Sequence, residues 1–366
     1  HIRDSAFQFD FKGNVDFASE IPKFHFTATA PNIDLKQIYW NKHDSISILS
    51  FDMSAFFEGK KLDDFLGNLV FSNLQYSNTN GALNLDGLRI NAFNDGKGKQ
   101  ITAESSAFYA SLWTDNRYER FWKSIKAILA KRIPAIFRES VDSEESQSND
   151  EIQENVIYLA SVIVADCDKL FEVLFPKIRV SPKSELNCYY DATSGNADIQ
   201  LKSKSLGYNT ITCNDVRFQL QNRDTITLSK LDIAQGQIAT FNFDSLQLAT
   251  SLQTDVIASV LQLKTSDFGG GELHLNTQSQ IFSRAEDSLT YCVTGILPSI
   301  LKVQEREWKF SRARLYLDSS AIEILNCTLM HQDRRLSIGG RLSRINPDTL
   351  RIRMDNIDIA PLEKLF

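Results

Sequence analysis

Near its start the chain reads Phe7-Gln8-Phe9-Asp10-Phe11, a strict alternation of apolar and polar side chains. Successive side chains of a β-strand point to opposite faces, so this stretch places three phenylalanine rings on one face. The same period recurs in Phe24-His25-Phe26, Leu246-Gln247-Leu248 and Leu315-Tyr316-Leu317, with turn signals such as Asn94-Asp95-Gly96 between the runs. The pattern predicts an all-β chain whose strands each carry one apolar and one polar face.

Composition sets limits on the kind of protein. The 366 residues are 42% hydrophobic and 23% charged, which is typical of globular domains and argues against a mainly disordered chain. No apolar run reaches the ~18 residues that a membrane-spanning helix needs. The net charge of −6 argues against nucleic acid as a partner, because phosphates attract basic surfaces. The chain opens at His1 inside a strand-like pattern, and we expect it to be an interior section of a longer protein.

Two segments depart from the period of two. Between Asn116 and Phe137, apolar residues return every three or four positions, which predicts an amphipathic helix over 117–133. Asn116 is the expected N-cap, with Glu119 completing a capping box, and Pro134 is expected to end or kink the helix. A short helix is predicted near 167–175. The run 156–164 is rich in β-branched residues and predicts a buried strand.

The amphipathic helix has two interpretations. Its apolar stripe, which includes Phe121, Trp122 and Ile125, can pack on the sheet as a plug or lid. Alternatively, the stripe and the nearby cations Lys123, Lys126, Lys131 and Arg132 can contact a membrane surface. We expect the packed arrangement, which is the commoner one in globular chains.

These signals predict four sections of chain. Residues 1–115 form a β-sheet section, and 116–151 hold the helix and an acidic, serine-rich loop at 139–151. Residues 152–301 form a second sheet section with the short helix. Residues 302–366 form a repeat-like section. The repeat consists of Gly13, Pro22, an alternating strand and Asn32-Ile33-Asp34, matched by Gly340, Pro347, an alternating strand and Asn356-Ile357-Asp358.

Catalytic and metal-binding patterns are missing from the sequence, and we predict no enzyme activity, no cofactor and no metal site. The five histidines are scattered, and neither a Gly-x-Ser-x-Gly elbow nor a phosphate loop occurs. Five widely spaced cysteines do not form a disulfide or zinc framework; if any two were to bridge, Cys188 and Cys213 are the expected pair.

Several stretches follow a pattern known from one family. They are Trp308 with Phe310, Ile322-Glu323-Ile324, Leu336-Ser337-Ile338-Gly339-Gly340, Pro347-Asp348-Thr349-Leu350 and Asn356-Ile357-Asp358-Ile359, with a further unit in Phe65-Leu66-Gly67-Asn68-Leu69. This pattern resembles TamB, the translocation and assembly module family of AsmA-like, bridge-type lipid-transfer proteins, in the form found in Bacteroidota. Most of the chain shares the resemblance.

The resemblance implies a fold, a location and partners. Such proteins form an elongated, curved, antiparallel-rich sheet shaped like a taco shell, with an apolar inner face and a few short helices. They are anchored in the inner membrane, cross the periplasm and dock on an outer-membrane barrel of the TamA type. The implied function is movement of phospholipid between the two membranes, and help in outer-membrane protein assembly is an older proposal. The anchor and the barrel-docking end would lie outside this chain.

The strand phases identify the residues expected to line the apolar groove, where phospholipid acyl chains would be the partner. They are Phe7, Phe9, Phe11, Val15, Phe17, Phe24, Phe26, Ile46, Ile48, Phe218, Leu220, Leu246, Leu248, Leu315, Leu317, Ile352 and Met354. Such a face needs a cover, which can be acyl chains, a helix or a second sheet. A structural or adhesive β-sandwich, and a scaffold that pairs with outer-membrane strands at its edges, therefore remain alternative functions.

Overall fold

A computed structural model of the chain describes residues 1–4, 7–41, 44–118, 120–137, 156–284, 289–311, 313–343 and 348–357. Strand accounts for 66% and helix for 9% of the structure, and the strand pairs form a large antiparallel sheet. The predicted all-β, antiparallel class with a few short helices is therefore confirmed. The acidic loop at 139–151 and the end of the second repeat copy, from Asp358 onward, lie outside the described residues.

The chain divides into two compact units. Unit 1 comprises His1–Ser124 with Ile152–Phe218, and unit 2 comprises Ile125–Glu151 with Gln219–Phe366. The breaks of this division lie at 124/125, 151/152 and 218/219, so of the predicted boundaries at 115, 151 and 301 only the one at 151 coincides with a break. Strands on either side of the 116–151 segment pair directly, for example through Ala160 and Leu112, so the segment does not interrupt the sheet.

Unit 1 is built mainly from neighbouring antiparallel strands. Its strands are β1 (Ile2–Arg3), β2 (Phe7–Asp16), β3 (Lys23–Asp34), β4 (Ser47–Glu58), β5 (Leu66–Asn78), β6 (Gly81–Leu85), β7 (Leu88–Asn94), β8 (Lys99–Glu104), β9 (Phe108–Thr114), β10 (Ile157–Val164), β11 (Ile178–Val180), β12 (Glu185–Asp191) and β13 (Asn196–Tyr208). Pairing runs β1-β2-β3-β4-β5-β7-β8-β9-β10-β12-β13, with β6 also beside β5 and β11 beside β13. The predicted strand at 156–164 is confirmed as β10, which pairs on both sides, but its predicted burial is wrong, because Leu159 and Ile163 are exposed.

Unit 2 continues the same construction. After β14 (Ile211–Arg223), which spans the division, come β15 (Ile226–Ile233), β16 (Gln235–Ile238), β17 (Phe241–Phe243), β18 (Ser245–Gln253), β19 (Val256–Thr265), β20 (Gly271–Arg284), β21 (Leu289–Ile296), β22 (Ile300–Val303), β23 (Arg306–Phe310), β24 (Ala313–Leu317), β25 (Ala321–His331), β26 (Arg334–Ser343) and β27 (Leu350–Asp355). The main pairing runs β15-β18-β19-β20-β21-β24-β25-β26-β27.

The other described elements are two helices, a short helical segment at 134–137 and two 3-10 turns. Helix α1 covers Arg120–Arg132 and helix α2 covers Asp168–Leu174, so both predicted helices are confirmed. The break after α1 is at Ile133, and Pro134 is the first residue of the next helical segment, a position where its missing N–H is tolerated. The 3-10 turns are Leu62–Asp64 and Asp267–Gly269.

The two repeat copies share a local geometry. Gly13 lies directly opposite Phe26 on the next strand, and Gly340 lies opposite Leu350. A Cβ atom at either glycine would overlap the backbone of the strand it faces. Both glycines therefore occupy positions where the strands approach too closely for any other residue.

Candidate functional site

One face of unit 1 is apolar across successive strands. Residues directly opposite one another in paired strands point to the same side of a sheet, so the register joins the strand phases into one surface. Phe24 pairs with Phe57, Ile101 with Leu112 and Leu186 with Leu201. We call this surface the apolar face; its members include Phe7, Phe9, Phe11, Val15, Phe24, Phe26, Leu49, Phe51, Met53, Phe57, Leu69, Phe71, Leu88, Ile90, Ile101, Leu112, Tyr158, Val162, Leu186, Tyr190 and Leu201.

Most large side chains of the apolar face are neither buried nor fully exposed. Phe51, Leu69, Leu112 and Val162 are all half-buried. In a closed sandwich, a second sheet interdigitates with the first and buries the large side chains of the face between them. Within the described parts of the chain, no second sheet therefore packs on the middle of the apolar face.

Helix α2 covers the apolar face near one end of strands β9 and β10. Val173 is fully buried and packs in a cluster with Leu83, Leu85 and Ala107, against which Leu170 also lies. Full burial of a valine side chain stabilises a fold by ~1.5–3 kcal/mol. The first residue of α2 follows Cys167, whose side chain makes no capping hydrogen bond, so the helix is held by packing rather than by an N-cap.

The start of α1 covers the apolar face near the other end of the same strands. The Phe121 ring centroid lies 5.0 Å from that of Tyr158 and 6.3 Å from that of Tyr190. The Tyr158 hydroxyl donates to the Arg117 carbonyl oxygen at 2.9 Å, and the Tyr118 N–H donates to the buried Asp63 carboxylate. Burial raises the pKa of both Tyr158 and Tyr190 to about 12, because the ionised form would lose hydration.

For α1 the sequence predicts packing on the sheet, with contact to a membrane surface as the alternative. Phe121 packs on the sheet, as predicted. Trp122 is 68% exposed and takes no part in this contact. The predicted N-cap is wrong, because the helix begins four residues after Asn116, whose side-chain oxygen accepts from the Arg117 N–H. Glu119 lies outside the described residues. Arg132 is buried at 5% exposure within unit 2, which counts against the alternative interpretation in which it is one of the membrane-facing cations.

Most of the predicted groove residues of unit 1 lie on the apolar face. Phe7, Phe9, Phe11 and Val15 share it along β2, and Phe24 and Phe26 share it on β3. Phe218 lies on the less exposed side of β14 with the buried Val216. Phe17 follows the end of β2 and is 73% exposed, although its ring meets Phe24 edge-on at 6.1 Å.

Ile46 and Ile48 require a correction. Ile48 pairs with Asp34, whereas Leu49 pairs with Ile33, so Ile48 points away from the apolar face. Ile46 precedes β4 and is 52% exposed. The strand takes the phase that begins at Ser47 because five apolar residues follow it at alternate positions: Leu49, Phe51, Met53, Ala55 and Phe57. The buried Ser47 hydroxyl is satisfied by the Tyr76 hydroxyl at 3.1 Å.

In unit 2 the predicted groove residues also share one face. Leu246 and Leu248 pair with Leu263 and Leu261, and the register continues this face to Leu315 and Leu317 through β20 and β21. It then reaches Ile352 and Met354 on β27, which are 57% and 42% exposed. Leu220 lies two residues before the buried Asn222, on the less exposed side of β14.

The opposite side of each strand carries the polar neighbours of these residues. Gln8, His25, Arg217, Gln219, Gln247 and Arg353 are exposed, and Asp10 and Tyr316 are half-buried. Sequence reasoning missed that this side of unit 1 also holds a group of aromatic and apolar residues on β9, β10 and β12. The run 156–164 is a signal that could have found it, because this run lacks alternation and so places apolar residues on both sides of β10.

Among the residues that the structure describes, no three or more His, Cys, Asp and Glu side chains group as metal ligands would. In the same residues, no helix is both long and apolar enough to cross a bilayer. All five cysteines carry free thiols, so Cys188 and Cys213 are not bridged. Neither a family model, nor a curated protein, nor a solved structure matches the chain.

Proposed function

We propose that this chain is a section of a bridge-type lipid-transfer protein whose apolar face holds phospholipid acyl chains in transit between two membranes. The supporting observation is the apolar face of unit 1: it is continuous across strands β2 to β13, yet large residues such as Phe51 and Leu112 stay half-buried. The proposal places the protein in the periplasm of a Gram-negative cell envelope. The inner-membrane anchor and the contact with a TamA-type barrel belong to parts of the protein outside this chain.

The energetics of this arrangement favour an apolar ligand. Each methylene of an acyl chain gains about 0.8 kcal/mol when it leaves water for an apolar surface. A surface of this kind binds through area rather than through a polar site, which suits a ligand that must move along it. Apolar side chains that remain half-exposed on a monomer are a cost that such a ligand removes.

The closed sandwich is the weaker alternative. It requires the apolar face to be buried against a second sheet, and the buried members of the face instead include those beneath the two helices, such as Leu83, Leu85 and Tyr158. A scaffold that pairs with outer-membrane strands would use its sheet edges and leave the apolar face without a ligand. Labelling of the face itself therefore separates the three functions.

Photo-crosslinking in the full-length protein tests the proposal. A photoreactive amino acid replaces Phe9 or Leu248 on the apolar side, or its neighbour Gln8 or Gln247 on the polar side, as matched controls in the same strands. We expect phospholipid adducts, identified by mass spectrometry, at Phe9 and Leu248 but not at Gln8 and Gln247. Equal labelling of both sides, or no lipid adduct at either side, would contradict the proposal.

Charge substitutions give a second test of the same function. Phe9→Asp and Leu248→Arg place an unpaired charge where acyl chains are proposed to lie, which costs several kcal/mol for each lipid that passes. Lipid transfer should then fail in variants that still fold, as judged by circular dichroism. Gln8→Asp and Gln247→Arg introduce the same charges on the polar side and should leave transfer intact.

A further inference from the structure

A second candidate site lies on the polar side of unit 1, away from the apolar face. Five strands, β8, β9, β10, β12 and β13, place one row of side chains next to each other there. The row is Gln100, Trp113, Leu159, Tyr189 and Asp198, as the register of the four strand pairs shows. A neighbouring row contains Ser111, Ser161, Asn187 and Gln200.

The two rows line a depression in the protein surface. Its volume is about 560 Å3, which falls within the range of small-molecule sites. Trp113 and Tyr189 stand on strands that lie on either side of β10, so their backbone positions are ~10 Å apart. This distance corresponds to the length of a disaccharide.

The Trp113 ring is held in position by a glycine. A Cβ atom on Gly98 would lie 2.5 Å from Cζ2 and 2.7 Å from Cε2 of the indole. The indole therefore rests against the bare backbone just before β8 while it also lines the depression. Packing of this kind fixes the ring without filling the site, as a stacking surface requires.

Polar groups around the two aromatic rings offer both donors and acceptors. The Ser161 hydroxyl donates to the Asn187 side-chain oxygen at 2.8 Å. This bond uses the oxygen of the amide, so the Asn187 NH2 group is the part proposed to donate to a ligand. The amides of Gln100 and Gln200 each add one oxygen and one NH2 group. Neighbouring hydroxyls of a sugar ring need this combination, since each hydroxyl both donates and accepts.

Charge excludes the main competing ligands. Among the described residues that line the depression, Asp198 is the one carboxylic acid, and neither lysine nor arginine is present. Phosphate groups of nucleic acids or lipids are bound by cations and by hydrogen-bond donors, so an acidic, cation-free lining disfavours them. A neutral ligand with a flat apolar face and many hydroxyls fits these groups.

We propose that this depression binds a neutral oligosaccharide, with sugar rings stacked on Trp113 and Tyr189 and their hydroxyls bonded to Gln100, Asn187 and Gln200. Sugar rings have C–H faces that pack on aromatic rings, and the aromatic spacing suits two adjacent rings of a linear glycan. The site is independent of the proposed lipid function, because the side chains proposed to contact the glycan point to the other side of the sheet, although Ala160 and Cys188 of the apolar phase also border the depression.

Isothermal titration of the 366-residue chain with cellohexaose and with N-acetylchitohexaose tests the proposal and distinguishes glucose-type from amino-sugar glycans. We expect at least one of them to bind. Trp113→Ala and Tyr189→Ala should each weaken binding about tenfold, the size of effect that loss of one aromatic stacking contact produces. Gln200→Leu should also weaken binding, because it removes polar contacts and leaves both rings in place.

Tyr109→Ala is the matched control. Tyr109 and Tyr189 are both 38% exposed on the polar side, but Tyr109 lies outside the depression. Its replacement should leave glycan affinity unchanged. If Trp113→Ala fails to fold, the more exposed Tyr189 decides the matter. The proposal is overturned if neither glycan binds, if Tyr189→Ala binds as well as Tyr109→Ala, or if phosphatidylethanolamine vesicles displace the glycan.

Discussion

Replacement of Arg132 by alanine should destabilise unit 2 more than an ordinary surface substitution does. The side chain is 5% exposed at the end of α1. Its Nε donates to the Asn222 side-chain oxygen at 2.9 Å and to the Thr227 hydroxyl at 3.1 Å, and its Nη2 donates to the carbonyl oxygens of Asp224 at 2.6 Å and Arg223 at 3.4 Å. Burial lowers the pKa of the guanidinium, and the charge of Asp224 opposes this shift.

The magnitude follows from the groups that the truncation leaves behind. The Arg132→Ala change removes a charged donor from the Asn222 side-chain oxygen, which keeps the Thr227 hydroxyl as a donor, and from the Asp224 carbonyl oxygen. Hydrogen bonds that involve a charged group contribute ~1.5–3 kcal/mol each. The expected loss is about 3 kcal/mol, which is two such bonds at the lower end of that range, because the acceptors left behind are neutral. Arg132→Lys should cost less, because the ammonium keeps the positive charge. It should still cost something, because a lysine cannot bond the Asn222 side chain and the Asp224 carbonyl oxygen at the same time, as the guanidinium does.

Hydrogen exchange measured by mass spectrometry is the suitable assay, because a chain of two units has no single unfolding free energy. Amides of residues 219–233 should exchange about a hundredfold faster in Arg132→Ala, as a loss of ~3 kcal/mol implies. Lys131→Ala is the control, since Lys131 is the exposed neighbour in the same helix. Equal exchange in the two variants would refute the view that Arg132 stabilises residues 219–233.

Two further predictions concern the sheet. Tyr158 and Tyr190 should stay protonated to about pH 12, as their raised pKa implies, while exposed tyrosines ionise near pH 10. Since the native state holds these protons more tightly than the unfolded state, stability should fall between pH 10 and 12; spectrophotometric titration at 295 nm checks this. Gly13→Ala should lower the melting temperature, because its Cβ would overlap Phe26, whereas Gly295→Ala should not, since its nearest neighbour is 3.7 Å away.

The alternation in the sequence predicted the strands and most of their faces because it depends only on local geometry. It could not show where a bulge shifts the phase. On β3 the apolar side passes from Ala30 to Ile33, and on β5 it passes from Phe71 to Leu74 around Asn73, which has a φ of 55°. Each bulge moves the apolar residues to the other sequence parity, so a strict period of two misassigns the strand beyond it.

Long-range strand pairing and buried polar contacts could not be predicted from the sequence either. Nothing near residue 112 indicates that Leu112 will pair with Ala160 across the intervening helix and acidic segment. In the same way, Arg132 follows Lys131 in a basic stretch, a pattern that predicts a solvent-exposed cation. Its buried role depends on Asn222 and Asp224, which are about ninety residues away in sequence.

The two proposed sites share strands but use different side chains to bind their ligands, and this separates their tests. On β10 and β12, Ala160 and Cys188 belong to the apolar phase and also border the depression, whereas Tyr189, which is proposed to stack on the glycan, belongs to the alternate phase. Successive side chains of a strand point to opposite faces, so Tyr189→Ala removes a ring from the polar side without touching the apolar face. Lipid labelling at Phe9 should therefore persist in Tyr189→Ala, and glycan affinity should persist in Phe9→Asp. Loss of both activities in either variant would indicate damage to the sheet itself rather than to one of its faces.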